Sequence, residues 1–266
     1  TTSLAGLPGH FCLHYQPQLD LRTGAILRCE ALLRWWHPDF GLLSPSMTLR
    51  GTRWADDISG LERWAVTEVC RQGARWELHG LPVQIALNTS APFLLRPGFV
   101  GTIEQELDRS GLRPYLLAID VPVDALAMEP HRTARVARAL EQRGIGVVAD
   151  GVDATRGLDR LSTIGAEAWK IDLGRPAGGA LHPAIGRAVE RAHEAGARAV
   201  AKAVEDDARL VAVRDLGFDE AFGHVVGRPL PGRAARSAFR PAPPRRRPLF
   251  GPPGPAALED QAVRRR

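Results

Sequence analysis

The chain reads as an α/β protein whose strands close into a (β/α)8, TIM-like barrel opened by a β-hairpin. Three observations predict this. Short apolar runs at 83–87, 116–121, 146–149, 168–171, 199–204 and 221–226 have the length and composition of buried parallel strands. Segments with helical apolar spacing alternate with them, near 102–109, 131–143, 157–164, 183–195 and 206–216, which implies a parallel sheet with helices outside. Two further strands, 11–21 and 25–35, come first, with Arg22-Thr23-Gly24 as the bend between them. They bring the strands to the number a closed barrel requires, and a length of 266 residues agrees.

The remaining segments follow from local chemistry. Residues 41–57 are polar and turn-rich and read as a loop over one end of the strands. Ser59 reads as the N-cap of a helix to about His79, with Leu61, Trp64, Ala65, Val69 and Trp76 on its apolar face. From about 231 the chain is dominated by Pro, Gly, Ala and Arg without periodicity, the composition of a disordered tail. The expected layout is an N-terminal extension at 1–10, a barrel domain at 11–232 and a Pro/Arg-rich disordered tail at 233–266.

Composition narrows the class. A hydrophobic content of 44% is enough to bury a sizeable core. No apolar run approaches membrane-spanning length, so no membrane segment is expected, and the N-terminus lacks the layout of a signal peptide. Cys12, Cys29 and Cys70 lack metal-ligand spacing and read as reduced, buried thiols of a cytoplasmic protein. Thr1 in place of Met reads as a processed chain or a fragment of a longer one. The net charge of +5 owes much to arginines at 245–247 and 264–266, so a nucleic-acid partner is not expected. Lys170 and Lys202 are the only lysines, each standing out against an Arg-rich background.

A (β/α) barrel places function at the carboxyl ends of its strands. The polar residues at those ends are Glu30, Asn88, Asp120, Asp150, Lys170, Asp172, Lys202 and Glu205. A carboxylate such as Glu30 inside an apolar strand is costly unless paired or bound to a metal, and a converging acidic cluster needs a cation.

Tyr15-Gln16-Pro17, the Leu21-Arg22-Thr23-Gly24 turn, Glu30-Ala31-Leu32-Leu33-Arg34-Trp35 and His37-Pro38 stand in register over two dozen residues. This string resembles the opening of bacterial EAL domains, the cyclic-di-GMP phosphodiesterases named for Glu-Ala-Leu, and the resemblance continues to about 231. It implies an EAL-type barrel in which two divalent ions activate a water for phosphodiester hydrolysis. The first ion's ligands fall on Glu30, Asn88, Asp120 and Asp150, with Asp120 shorter than the family's Glu by one methylene, leaving room for one Mg²⁺ or Mn²⁺. The second ion's ligands fall on Gly151 and Lys202, where the family has Asp and Glu. An ammonium cannot ligate a cation, so Lys202 is expected to stand in for that ion, neutralising Glu30 and Asp150.

Other departures agree. Val123 and Phe222 replace a Glu and a Gln, and the loop 152–155 has lost the family's glycines. Lys170 and Glu205 then remain as catalytic remnants. Ligand contacts carried over by the resemblance are Gln16, Glu30, Leu32, Arg34, Asn88, Asp172, Lys202 and Pro229. The reading is a degenerate EAL domain that has lost useful hydrolysis and acts in signalling as a cyclic-di-GMP sensor. Two alternatives stay open: a protein-interaction scaffold that no longer binds nucleotide, and a weak one-metal phosphodiesterase with Glu205 as base. A homodimer is left open, and no protein partner is legible.

Overall fold

The computed structural model describes residues 2–3, 8–44, 55–155, 157–174 and 183–239. Strands β1 (His10–Asp20) and β2 (Ile26–His37) form the opening antiparallel hairpin, with Gln16 opposite Glu30 and Cys12 opposite Arg34. Asp20 fixes the turn, its Oδ1 accepting from the Thr23 backbone N–H (2.7 Å) and hydroxyl (2.8 Å). The short strand β3 (Gly41–Leu43) extends β2 on its outer edge. From β2 the sheet continues in parallel through β4 (Gln84–Asn88), β5 (Leu117–Pro122), β6 (Gly146–Val152), β7 (Ala168–Asp172) and β8 (Arg198–Lys202).

The two-residue β9 (Glu220–Ala221) pairs parallel with β8 and antiparallel with β1, which closes the ring. A last strand, β10 (Leu230–Pro231), pairs with the middle of β1, at His14 and Tyr15. Of the ten strands in the sheet, β3 and β10 are appendages and eight form the barrel.

The lumen is narrow because the inward residues are small. Ala86, Ala118, Val148, Ala168 and Val200 pack together, with Phe222 as the one large side chain among them. The N-terminal end of the barrel is plugged by ion pairs. Arg28 donates to Gln84 Oε1 (2.5 Å) and Glu167 Oε1 (2.7 Å), and Arg198 to Glu220 Oε1 (2.5 Å) and Asp20 Oδ2 (2.7 Å). Gly146 makes room for this plug, since a Cβ there would lie 2.6 Å from Glu167 Oε1. These pairs fill the floor of the barrel, opposite the mouth.

The outer layer comprises α1 (Ala55–Leu78), α2 (Ala91–Leu94), α3 (Phe99–Ser110), α4 (Val123–Met128), α5 (Pro130–Glu141), α6 (Leu158–Leu161), α7 (Ala184–Glu194), α8 (Asp207–Asp215) and α9 (Gly232–Ala238). Several sequence expectations need correction. Ser59 is not an N-cap: α1 is already helical at Ala55. The expected loop 41–57 holds β3 and the start of α1, while 45–54 lies outside the described residues. The strand expected at 221–226 is only Glu220–Ala221, because Gly223 must turn the chain tightly over Val204, where a Cβ would lie 2.0 Å from the carbonyl oxygen. Cys12 is half-buried rather than buried.

The barrel domain also runs past 232. Helix α9 lies in what reads as tail, and the Phe239 ring after it meets Trp76 at 5.8 Å. Trp76 also donates its indole N–H to the Gly232 carbonyl (3.1 Å) and stacks edge-on against Tyr15 at 4.8 Å. These anchors are apolar and lie far apart in sequence, so Pro/Arg-rich composition conceals them. The rest of the expected tail, 240–266, lies outside the described residues. Phe239→Ala is expected to cost about 3–5 kcal/mol in urea unfolding, as buried Phe-to-Ala changes do. A loss below ~1 kcal/mol would show that α9 is not anchored to the barrel.

Candidate functional site at the barrel mouth

The part of β2 that pairs with β4 and the carboxyl ends of β4, β5, β6, β7 and β8 bring Glu30, Asn88, Asp120, Asp150, Lys170 and Lys202 to one mouth. Neighbouring strands hold them in register, with Asn88 beside Asp120, Asp150 beside Lys170 and Asp172 beside Lys202. Lys170 is fully buried and lies at the centre. Its Nζ donates to Asp120 Oδ2 at 2.5 Å and lies 3.6 Å from Glu30 Oε2. The Phe222 ring, 5.4 Å away, gives the same ammonium a cation–π contact. Glu30 also accepts from Asn88 Nδ2 at 2.5 Å.

Lys202 forms a second pair. Its Nζ donates to Asp150 Oδ1 at 2.5 Å, in a part of the mouth open to solvent. Lys202 thus pairs with Asp150 alone, while Glu30, also expected as its partner, is engaged by Asn88 and Lys170.

Burial and mutual charge set the protonation of the group. Asp120 is pushed up to about 6, first by burial and then by Glu30 and Asp150, which together outweigh Lys170. On Lys170, burial acts downwards, but Asp120, Glu30 and Asp150 raise it above the ordinary lysine value. The two shifts agree once one ammonium is seen to be shared among three carboxylates. Burial works against ionised Asp150 as well, yet Lys170, Lys202 and the Gly151 N–H hold its carboxyl below the usual range.

The remaining expected residues lie around this cluster with other duties. Gln16 donates to the Gly227 carbonyl (3.0 Å), Arg34 to the Leu33 carbonyl (2.8 Å), and the backbone of Pro229 bonds the His14 ring. Leu32 stands opposite His14 across the hairpin. Asp172 accepts from the Gly174 N–H (2.9 Å), and Glu205 is exposed beyond the end of β8. Val123 opens α4, and its Cγ2 lies 3.7 Å from where a Gly151 Cβ would be. In the loop 152–155, Asp153 Oδ1 accepts from Thr155 N (2.8 Å) and Oγ1 (2.6 Å), a tight turn made without glycine.

The oxygens differ in their suitability for metal. Among the described residues no three carboxylate, histidine or cysteine side chains stand close enough to hold an ion unaided. The Glu30–Asn88–Asp120–Asp150 set nonetheless has three carboxylates against two ammoniums, and Asp120 Oδ1 is buried without a hydrogen-bond partner. That charge and that orphan oxygen fit one divalent ion once the side chains draw around it. The second position does not fit one: Lys202 Nζ occupies the open side of Asp150, and Gly151 offers no donor.

A family model for the EAL domain matches residues 5–229. The chain belongs to the EAL domain family. The Pseudomonas aeruginosa bifunctional diguanylate cyclase/cyclic di-GMP phosphodiesterase MucR is 30% identical over 229 residues, 82% of this chain and 33% of that protein. The cyclic di-GMP phosphodiesterase NbdA of the same organism is 28% identical over 234 residues, 86% of this chain and 30% of that protein. The curated relatives are thus much longer than the matched EAL region. Among solved structures, the PaMucR phosphodiesterase in its c-di-GMP complex superposes with a TM-score of 0.77 at 27% identity, covering 84% of this chain and 93% of that one. The Xanthomonas citri FimX EAL domain in complex with c-di-GMP shares the fold, with a TM-score of 0.73 at 21% identity over 83% of this chain and 88% of that one.

Sequence reasoning found the carboxylates and lysines of this EAL mouth, but not the role of Phe222 as the apolar floor beneath Lys170. A large aromatic among the small lumen residues of neighbouring strands was the available signal. Lys170→Met would leave Asp120 and Glu30 buried without their cation and is expected to cost about 3–5 kcal/mol of stability. The raised Asp120 carboxyl also gives a pH signature. The native state binds its proton more tightly than the unfolded chain, so its contribution to stability grows as pH falls from above 6 towards 3.8. Asp150 acts in the opposite sense, losing its contribution on acidification. The stability of wild type minus that of Asp120→Asn should therefore rise between pH 7 and pH 4.5, and a flat difference would refute the assignment.

Proposed function

We propose that this EAL domain binds cyclic-di-GMP across the barrel mouth and acts as a sensor in cyclic-di-GMP signalling without hydrolysing it at a useful rate. The observation that carries the proposal is the 2.5 Å contact between Lys202 Nζ and Asp150 Oδ1. It puts a fixed ammonium, which cannot generate hydroxide, on Asp150, beside the place a second ion would take. Were an ion held by Glu30, Asn88, Asp120 and Asp150, it would supply positive charge against a ligand phosphate.

The chain's own side chains provide the rest. Lys202 has two N–H groups left after bonding Asp150, and the Arg34 guanidinium has donors beyond its bond to Leu33, so both can address phosphate oxygens. Buried Lys170 is committed to Asp120 and Glu30 and serves to keep the carboxylates in place. Loss of an ion that activates water removes several kcal/mol of transition-state stabilisation, hence orders of magnitude in rate. The apolar side chains of Val123 and Phe222 favour a second reading, a barrel retained for protein contacts alone.

Calorimetric titration of cyclic-di-GMP, with product analysis afterwards, separates these. Binding in EDTA without cleavage, weakened about tenfold or more in Arg34→Ala, is the expected result. Absence of binding at high micromolar ligand would leave the scaffold, and linearised dinucleotide with Mg²⁺ or Mn²⁺ would overturn the loss of hydrolysis.

A further inference from the structure

The turn after β8 is strained. Ala203, next to Lys202, has φ +60°, the one non-glycine residue in the left-handed region among the described residues. A side chain in that region costs about 1–3 kcal/mol unless the surroundings over-determine it. The surroundings here do so from two sides. The segment after β9 clamps the turn through Val204 N–H to the Phe222 carbonyl (3.2 Å) and Val225 N–H to the Val204 carbonyl (3.3 Å), with Gly223 packed against the Val204 backbone. On the other side, in the first turn of α8, Arg209 NH1 donates to the Ala203 carbonyl itself at 3.2 Å. Arg209 is in turn placed by the α8 N-cap, where Asp206 Oδ1 accepts from the Arg209 backbone N–H at 2.8 Å.

We infer that Arg209 is a positioning residue for the mouth: its bond to the Ala203 carbonyl holds the strained turn that aims Lys202 at Asp150. Without that bond only the clamp at Val204 opposes relaxation of the Ala203 backbone out of the left-handed region, a relaxation that would swing Lys202. Glycine at 203 has no such strain to release, so it should make the turn independent of Arg209. The consequence for ligand binding rests on the reading of the mouth as a cyclic-di-GMP site; the consequence for the turn does not.

The test is a cycle of wild type, Arg209→Ala, Ala203→Gly and the double variant, each measured for thermal unfolding and for cyclic-di-GMP affinity in EDTA. Ala203→Gly should raise the melting temperature by a few degrees. Arg209→Ala should lower it clearly with Ala203 present and much less with glycine there. Affinity should fall about tenfold in Arg209→Ala and recover in the double variant and in Arg209→Lys, a rescue that a general loss of stability would not produce. Equal melting losses in both backgrounds would overturn the inference. So would a measurable affinity loss that glycine does not restore. If wild type binds no cyclic-di-GMP, the ligand reading fails and the melting cycle alone decides the role of Arg209.

Discussion

One ammonium shared among carboxylates in a dry barrel is the constraint on which this mouth depends. Lys170 is fully buried, bonded to Asp120, close to Glu30 and seated over the Phe222 ring. Three carboxylates at neighbouring strand ends repel one another, and each loses solvation on burial. Without a cation among them they would take up protons or push the strands apart. The raised Lys170 and the raised Asp120 are two views of the same balance: the carboxylates together compel Lys170 to be charged, yet one charge does not satisfy them all.

Lys202 relieves the remainder at the solvent side. Its pair with Asp150 is partly exposed, so it adds less to stability than Lys170 does, but it determines what the mouth can accommodate. A divalent ion brings two charges and vacant coordination positions at which water becomes a nucleophile. An ammonium brings one charge and hydrogen atoms. On the proposed reading, that exchange would keep an attraction for phosphate while removing the means of attacking it.

Much of this was legible in the chain, because strand ends in a barrel are marked by abrupt changes from apolar runs to Asn, Asp or Lys. Ala86-Leu87-Asn88 and Trp169-Lys170-Ile171-Asp172 show the change plainly. The partner of Lys202 was only half legible: the mouth positions suggested both Glu30 and Asp150, and only the geometry shows Glu30 already engaged by Asn88 and Lys170. Helix α4 begins directly at the end of β5, with no loop to announce it, and α9 lies in a stretch whose composition suggests disorder. Ala203 gave no signal by itself, since its left-handed backbone is imposed by Gly223, Phe222 and Arg209 rather than by its own preference.

The most direct measurement is the number of Mn²⁺ ions held per chain, read from the loss of the free-ion signal in electron paramagnetic resonance. With Lys202 on Asp150, the wild-type protein should hold no more than one, and Lys202→Glu combined with Gly151→Asp should hold one more. Two ions in the wild-type mouth would contradict the account, because Lys202 would then not occupy the place of the second.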